Sequence, residues 1–317
     1  MTANIYSWKE WQGRASIQEM VELWNKTMGE LFPLSEALFA RNVFHPLYLD
    51  LSRSCLVIED NKLIGYLVAK SDPYQVLHHP QSLWLSCLVV HPNYQRKGHG
   101  TDMLKHALKN EKTNVLVGSD PHHFFPGIPS KLTAAQAFFQ KQGFTLDGKA
   151  YDLRCDISKH CYATPPMTET YVVKRLLPKH QGELLQHMIE NYSTRRYKET
   201  EWSLIYEKDI TTLVGLFHND ILIGFAHVHS KGDSFWIPSV YWEKDDNPNI
   251  GGLGPVGIHK KYRGTGIGTF FMIETLRLLQ KEGIKEMGID WTILIDFYKK
   301  FYFRPHRSYI HASLTKP

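Results

Sequence analysis

Two short glycine-bearing motifs stand at one fixed offset in this chain. Gln95-Arg96-Lys97-Gly98-His99-Gly100 maps onto Arg263-Gly264-Thr265-Gly266-Ile267-Gly268, with positions 95 and 263, 98 and 266, and 100 and 268 each 168 residues apart. Each motif follows an apolar run by the same spacing, Val90 to Gln95 and Ile258 to Arg263, and each opens a helical pattern. At average glycine usage of about 7%, a [Gln/Arg]-x-x-Gly-x-Gly pattern arises by chance roughly 0.1 to 0.2 times in a chain this long. One occurrence says little. Two at matched spacing mean that one fold is used twice.

The rest of the sequence repeats with the motifs. The 317 residues suit two domains, and 43% hydrophobic content supplies two cores. Ile17, Met20, Val21 and Trp24 form an i, i+3, i+4, i+7 stripe that predicts a helix. Cys55–Asp60 and Leu63–Ala69 read as a hairpin about Asn61-Lys62, and Thr212–Phe217 with Ile221–Val228 as its copy about Asn219-Asp220. Ser82–Val90 is apolar on both faces and so predicts a central strand. Helices are expected over Thr133–Gln142, stopped by Gly143, and over His180–Tyr192 and Ile293–Phe301, with closing strands at Ala150–Ile157 and Tyr309–Leu314. The expected fold class is α/β, in the α+β sense of a mixed sheet with helices between strands, in two tandem domains. The first spans 1–158, a linker marked by Pro165-Pro166 spans 159–168, and the second spans 169–317. Residues 230–250, with Trp236, Trp242, Asp245, Asp246, Asn247 and Pro248, have no counterpart of equal length and predict a loop at the mouth of the second domain.

Composition narrows the partners. The net charge of +5 is carried by scattered Lys and Arg with no run that reads as a nucleic-acid arm, and it suits a small anionic ligand. No apolar run reaches about 18 residues, so no membrane span is expected. Met1–Tyr6 lacks a basic region followed by an apolar one, so no signal peptide is expected. Cys55, Cys87, Cys155 and Cys161 form no C-x-x-C pair and read as free thiols of a cytoplasmic protein. Two fused copies can replace a dimer, so a monomer is expected.

A helix N-terminus exposes unpaired N–H groups and a partial positive charge, and a glycine turn lets a phosphate approach them. Arg96, Lys97 and Arg263 add charge that suits a pyrophosphate. A P-loop would need Gly-Lys-Ser/Thr, absent in both copies; a dinucleotide fold would need Gly-x-Gly-x-x-Gly after the first strand of its unit, whereas these turns come late. Val90-His-Pro-Asn-Tyr-Gln-Arg-Lys-Gly-His-Gly100, repeated as Ile258-His-Lys-Lys-Tyr-Arg-Gly-Thr-Gly-Ile-Gly268, resembles the GNAT superfamily of acyl-CoA-dependent N-acetyltransferases. A second signature of that family, an aromatic pair followed by Gly-Phe, is similar to Phe138-Phe139-Gln-Lys-Gln-Gly143-Phe144 and to Phe297-Tyr298-Lys-Lys-Phe-Tyr302-Phe303, where Tyr302 departs from the pattern.

The resemblance implies acetyl-CoA as co-substrate. It implies a pyrophosphate site at Gln95, Arg96, Lys97, Gly98, His99 and Gly100, and again at Arg263, Gly264, Thr265, Gly266, Ile267 and Gly268. It further implies that Leu88, Val89 and Val90, and likewise Val256, Gly257 and Ile258, pair their backbone with the pantetheine arm. The family often draws the proton for the departing thiolate from a tyrosine four residues before the second-signature glycine. That position is Tyr298 in one copy and Phe139 in the other, so Tyr298 is the catalytic expectation and the C-terminal domain the expected site of chemistry. Asp290, at a strand end beside Trp291, is a candidate base or a solvated aspartate; Glu243, Asp245 and Asp246 read as solvated. His122-His123 in Asp120–Gly127 could shuttle protons, while Phe124 and Phe125 read as core cover. Adjacent histidines alone suit a metal poorly, and no metal is expected. The acceptor is an amine of a small molecule or peptide. Two alternatives stay open: a non-catalytic acyl-CoA-binding regulatory protein, and catalysis in the N-terminal domain.

Overall fold

The computed structural model describes residues 3–10, 13–44, 47–73, 82–206, 210–230, 237–243 and 249–315. Trp236, Asp245, Asp246, Asn247 and Pro248 of the expected mouth loop lie outside the described residues. In chain order the elements are β1 (Asn4–Ser7), α1 (Ile17–Met28), α2 (Glu36–Val43), β2 (Cys55–Glu59), β3 (Lys62–Lys70), β4 (Ser82–Val90), α3 (His99–Ala107), β5 (Asn114–Val117), β6 (Ile128–Pro129), α4 (Thr133–Lys141) and β7 (Thr145–Asp156). They continue as β8 (Tyr171–Arg175), α5 (Gln181–Asn191), α6 (Thr194–Tyr206), β9 (Leu213–His218), β10 (Ile221–His229), β11 (Ile250–Ile258), α7 (Ile267–Lys281), β12 (Glu286–Thr292), α8 (Ile295–Lys299) and β13 (Arg304–Leu314).

The chain divides into two compact units. The first holds the described residues up to Ala150 together with those from Ser308 onward; the second holds Tyr151–Arg307. In the first, β1, β2, β3 and β4 pair antiparallel in that order, β5 joins β4 in parallel, and β13 pairs β5 antiparallel. The β2–β3 hairpin turns through Asp60 and Asn61 at φ 47° and 59°. Two left-handed residues make the tight turn whose twist matches the strands. Ser16 and Glu19 cap the start of α1 reciprocally. Trp24 of α1 is fully buried, donates its indole N–H to the Phe32 carbonyl at 2.7 Å, and packs on Phe124 and Phe125 at 5.0 and 5.8 Å. Phe124 and Phe125 therefore cover the core, as expected.

The second unit repeats this plan. β8, β9, β10 and β11 pair antiparallel, β12 joins β11 in parallel, and β7 pairs β12 antiparallel. Its hairpin turns through Asn219 and Asp220 at φ 48° and 62°. Phe271, Leu276 and Leu279 of α7 are buried in its core.

The outermost strands are exchanged relative to sequence order. Sequence order makes Ala150–Ile157 the closing strand of the first half, yet Tyr151–Asp156 pair with Glu286–Thr292 in the second unit. Tyr309–Leu314 reads as the last strand of the second half, yet Ser313 and Leu314 pair with Leu116 and Val115 in the first unit. Local pattern assigns a segment to a strand but carries no signal of which edge that strand joins.

One buried ion pair braces the first unit. Lys70, at the end of β3, has a side chain with no exposed surface and meets Asp120 at 2.5 Å. Its ammonium also donates to the Pro121 carbonyl at 2.8 Å, and Ser86 donates to the same carboxylate at 2.8 Å. Removing one partner strands a charge in the interior, which costs about 3–5 kcal/mol, while an apolar pair of similar volume is tolerated. Lys70→Met is expected to lower unfolding free energy by about that amount in a urea titration, and Lys70→Met/Asp120→Leu to regain most of it.

Candidate active site

Both sheets fork. β4 and β5 pair from Ser82 with Asn114 to Leu85 with Val117 and then part, while Leu88, Val89 and Val90 stay paired to β3 on the other side. β11 and β12 pair from Ile250 with Glu286 to Leu253 with Ile289 and part in the same way, with Val256, Gly257 and Ile258 still paired to β10. Each fork leaves one edge of a central strand facing a gap. Backbone N–H and C=O groups there need partners, and an extended chain carrying amides supplies them.

The glycine turns lie at the mouths of the forks with one shared conformation. Arg96 and Gly264 are left-handed at φ 62° and 80°, and Gly98 and Gly266 at φ 96° and 89°. Gly98 and Gly266 are the residues immediately before α3 and α7, with no side chain capping either helix. The exposed N–H groups of that first turn lie where the sequence places the expected anion site.

In the first unit the turn opens on a cavity of about 930 Å³, lined among others by Leu88, Val90, Gln95, Arg96, Gly98, His99 and Gly100. That size falls in the range of cofactor sites. Gln95 donates an amide N–H to the Val90 carbonyl at 3.0 Å, and Lys97 reaches back over the Tyr94 ring at 4.9 Å, so of the two cations in the turn only Arg96 lines the cavity, together with Lys131 and Lys141 from outside the turn. Val89 is buried, and its carbonyl lies on the side of Gly65 in β3, away from the fork. In the second unit Thr265 donates to the Tyr262 carbonyl at 2.7 Å, Ile267 is buried in the core, and Arg263 is exposed.

The second signatures also superimpose in conformation. Phe144 N–H bonds the Phe139 carbonyl at 3.0 Å, and Phe303 N–H bonds the Tyr298 carbonyl at 3.3 Å. Tyr302 takes φ 69° where Gly143 takes 88°, so the departure from glycine leaves the helix end unchanged. Its ring is exposed and stacks on His160 at 3.8 Å. A bulky left-handed residue carries a steric cost of about 1–2 kcal/mol.

The forks differ chemically. Phe139 lines the first cavity. At the matching place Tyr298 is buried, and burial followed by the charge of Asp290 pushes its phenol up to about 12. Asp290 is the first residue of β12 beyond the paired stretch and is half-buried. Its carboxylate reaches across the fork: Oδ1 lies 3.2 Å from where a Cβ on Gly254 would be. Burial, then the neighbouring Asp152 carboxylate, push its pKa up to about 7, against the opposing pull of Arg196. The residue in that place in the first unit is Gly118, where an added Cβ would lie 2.4 Å from the Phe125 carbonyl oxygen, so no side chain fits.

Glu243, expected to be solvated, is instead paired with Arg154 and Arg307. The carbonyl of His122 accepts from Lys70 at 3.3 Å, and that of His123 from Asn42 at 3.3 Å. Among the described residues no group of three His, Cys, Asp or Glu could hold a metal, and no helix is long and apolar enough to cross a membrane. Sequence reasoning missed Asp152, because strand exchange brings it to Asp290, and α6, whose Arg195–Glu199 spacing at i, i+4 was a legible helix signal.

Residues 51–146 match the acetyltransferase (GNAT) domain, and residues 177–303 the acetyltransferase (GNAT) family. The chain belongs to the GNAT acyl-CoA N-acyltransferase superfamily, as two domains in tandem. No curated protein sequence matches it. Among solved structures it is similar, at 22% identity and a TM-score of 0.84 over 99% of its length, to a GCN5-related glucosamine N-acetyltransferase region of a fungal multi-domain GH3 beta-N-acetylglucosaminidase. It spans only 38% of that chain. A tandem GNAT protein from the clavulanic acid biosynthesis pathway is similar at 14% identity and a TM-score of 0.68, covering 99% of this chain and 98% of that one. A GCN5-related N-acetyltransferase from Sphaerobacter thermophilus is similar at 15% identity and a TM-score of 0.66, covering 99% and 96%. At these identities the likeness is one of fold.

Gly98→Glu and Gly266→Glu each place a carboxylate at one helix N-terminus and a side chain on a left-handed backbone. Calorimetric titration with coenzyme A is expected to count two sites in the wild type and one in each variant; an unchanged count would remove the varied turn from cofactor binding. The raised pKa of Asp290 means that the folded state holds its proton more tightly than the unfolded chain, so its contribution to stability is lost as pH rises from about 4 through about 7. Asp290→Asn is therefore expected to raise the melting temperature at pH 8 and to leave it nearly unchanged at pH 4.

Proposed function

We propose that this protein is an N-acetyltransferase that moves the acetyl group of acetyl-CoA to a primary amine, and that the second unit performs the transfer. The observation that carries this reading is the pair Asp290 and Tyr298 at the second fork, against Gly118 and Phe139 at the first. In this reading the first unit holds a coenzyme A molecule without turning it over.

An alkylammonium of pKa about 10.4 costs roughly 4–5 kcal/mol to deprotonate at pH 7. Asp290, poised near neutrality, takes that proton. The freed amine attacks the thioester carbonyl, the carbon–sulfur bond breaks, and of the two protons leaving nitrogen one ends on sulfur and one in solvent. Tyr298 stays protonated throughout the physiological range and donates a hydrogen bond to the departing thiolate, whose ordinary pKa near 8.5 makes a full transfer from the phenol uphill. The acceptor to test first is an amino sugar, because the fungal region with the same tandem fold bears a glucosamine N-acetyltransferase activity.

Thiol release from acetyl-CoA with a panel of amino sugars and alkylamines tests the reading. Tyr298→Phe is expected to lower kcat by about 10²–10⁴-fold with coenzyme A affinity unchanged, and Asp290→Asn to lower it similarly and abolish an acidic limb near pH 7. Full activity in Tyr298→Phe would move the chemistry away from this fork. Coenzyme A binding with no transfer to any amine would favour the acyl-CoA-binding regulator instead.

A further inference from the structure

Asp152 lies on the exchanged half of β7, beside β12, and is buried. Its Oδ1 accepts the backbone N–H of Trp291 at 3.3 Å. Trp291 follows Asp290 directly and takes φ 42°, a left-handed conformation that a bulky L-residue adopts at a cost. Arg195 of α6 sits over the Trp291 ring at 5.6 Å. The register between β7 and β12 breaks here, jumping from Leu153–Ile289 to Tyr151–Thr292. The bulge is what re-aims the residues between, Asp290 among them.

We infer that Asp152 is the positioning residue for the base of the second unit: by holding the Trp291 N–H it fixes a left-handed bulge that points the Asp290 carboxylate across the fork over Gly254. This inference rests on the reading of Asp290 as the base. Four charged or titratable groups face Asp290 from the elements around it: Asp152 from β7, Arg196 and Glu199 from α6, and Tyr298 from α8. Asp152 and Glu199 oppose its ionisation and Arg196 favours it. Asp152 thus has two separable effects, one through its acceptor oxygen and one through its charge.

Two variants separate them. Asp152→Asn keeps an oxygen for the Trp291 N–H and removes the charge. It is expected to keep kcat at pH 8 within about threefold, while the acidic limb moves to lower pH by a half unit or more. Asp152→Ala loses the acceptor, and kcat is expected to fall at least tenfold with KM for acetyl-CoA unchanged. Adding Trp291→Gly, which takes the left-handed conformation at no steric cost, is expected to restore part of that loss, a rescue that general destabilisation would not show. The Asp290 carboxylate is also titrated directly by carbon NMR, which needs no turnover. A midpoint that falls in Asp152→Asn supports the charge effect, whereas an unchanged kcat in Asp152→Ala, or a loss that Trp291→Gly does not relieve, overturns the positioning role. If Asp290→Asn is fully active while the midpoint still falls, the reading of Asp290 as the base has failed and the coupling of Asp152 to Asp290 stands.

Discussion

The structure depends on two parallel strands parting after four paired residues. A parallel pair in the middle of a sheet normally bonds along its whole length, because unpaired backbone groups in an interior are costly. Here β4 leaves β5 beyond Leu85, and β11 leaves β12 beyond Leu253. The gap is tolerable because each central strand keeps its other edge paired. The groups on the open edge are then available to a chain-like ligand, and the glycine turn at the mouth of each fork places a helix N-terminus where that ligand's phosphates would lie. Parting the strands thus creates in each unit an open strand edge and, at its mouth, an uncapped helix N-terminus.

The exchange of outer strands makes the repeat more than two domains on a string. β7 and β13 each run through a unit boundary: residues from Ser308 onward complete the sheet of the first unit, and Tyr151–Asp156, ahead of the expected linker, complete that of the second. The consequence for the site is local. A strand that a first-domain reading assigns to residues before 158 delivers Asp152 to β12 of the second unit. The chemistry assigned to the second unit therefore draws on both halves of the chain.

Much of this was legible in the sequence because the signals were local. The hairpin turn at Asn219-Asp220, the doubly apolar β4 and the paired glycine turns each declare themselves within ten residues, and so does the first hairpin, although it turns through Asp60 and Asn61, one residue earlier than the expected Asn61-Lys62. Leu88, Val90, Gln95, Arg96, Gly98, His99 and Gly100 line one cavity of the first unit, while Lys97 turns back over Tyr94. What could not be read is long-range. No periodicity tells that Tyr151–Asp156 pairs with β12, or that Gln95 spends its amide on Val90. Tyr302 was misleading in the other direction: a missing glycine suggested altered geometry, whereas the backbone takes the same left-handed turn and only the exposed ring is new.

The asymmetry between the forks argues for divergence of roles after duplication, and it runs through backbone as well as side chains. Replacing Phe139 by tyrosine would restore a hydroxyl to the first fork, yet Gly118 could not become aspartate, since its Cβ would collide with the Phe125 carbonyl. Nor can Asp120 step in as it stands. Its Oδ2 is engaged by Lys70 and Ser86 in an interior without solvent. A carboxylate so paired is fixed in place, and it braces the loop that carries Phe124 and Phe125 over Trp24. The second fork made the opposite trade: Asp290 is half-buried beside another carboxylate, a placement that weakens the fold at neutral pH and keeps the group close to its own midpoint. One copy ties its carboxylate into the fold through Lys70 and Ser86, and the other leaves it half-buried at the fork.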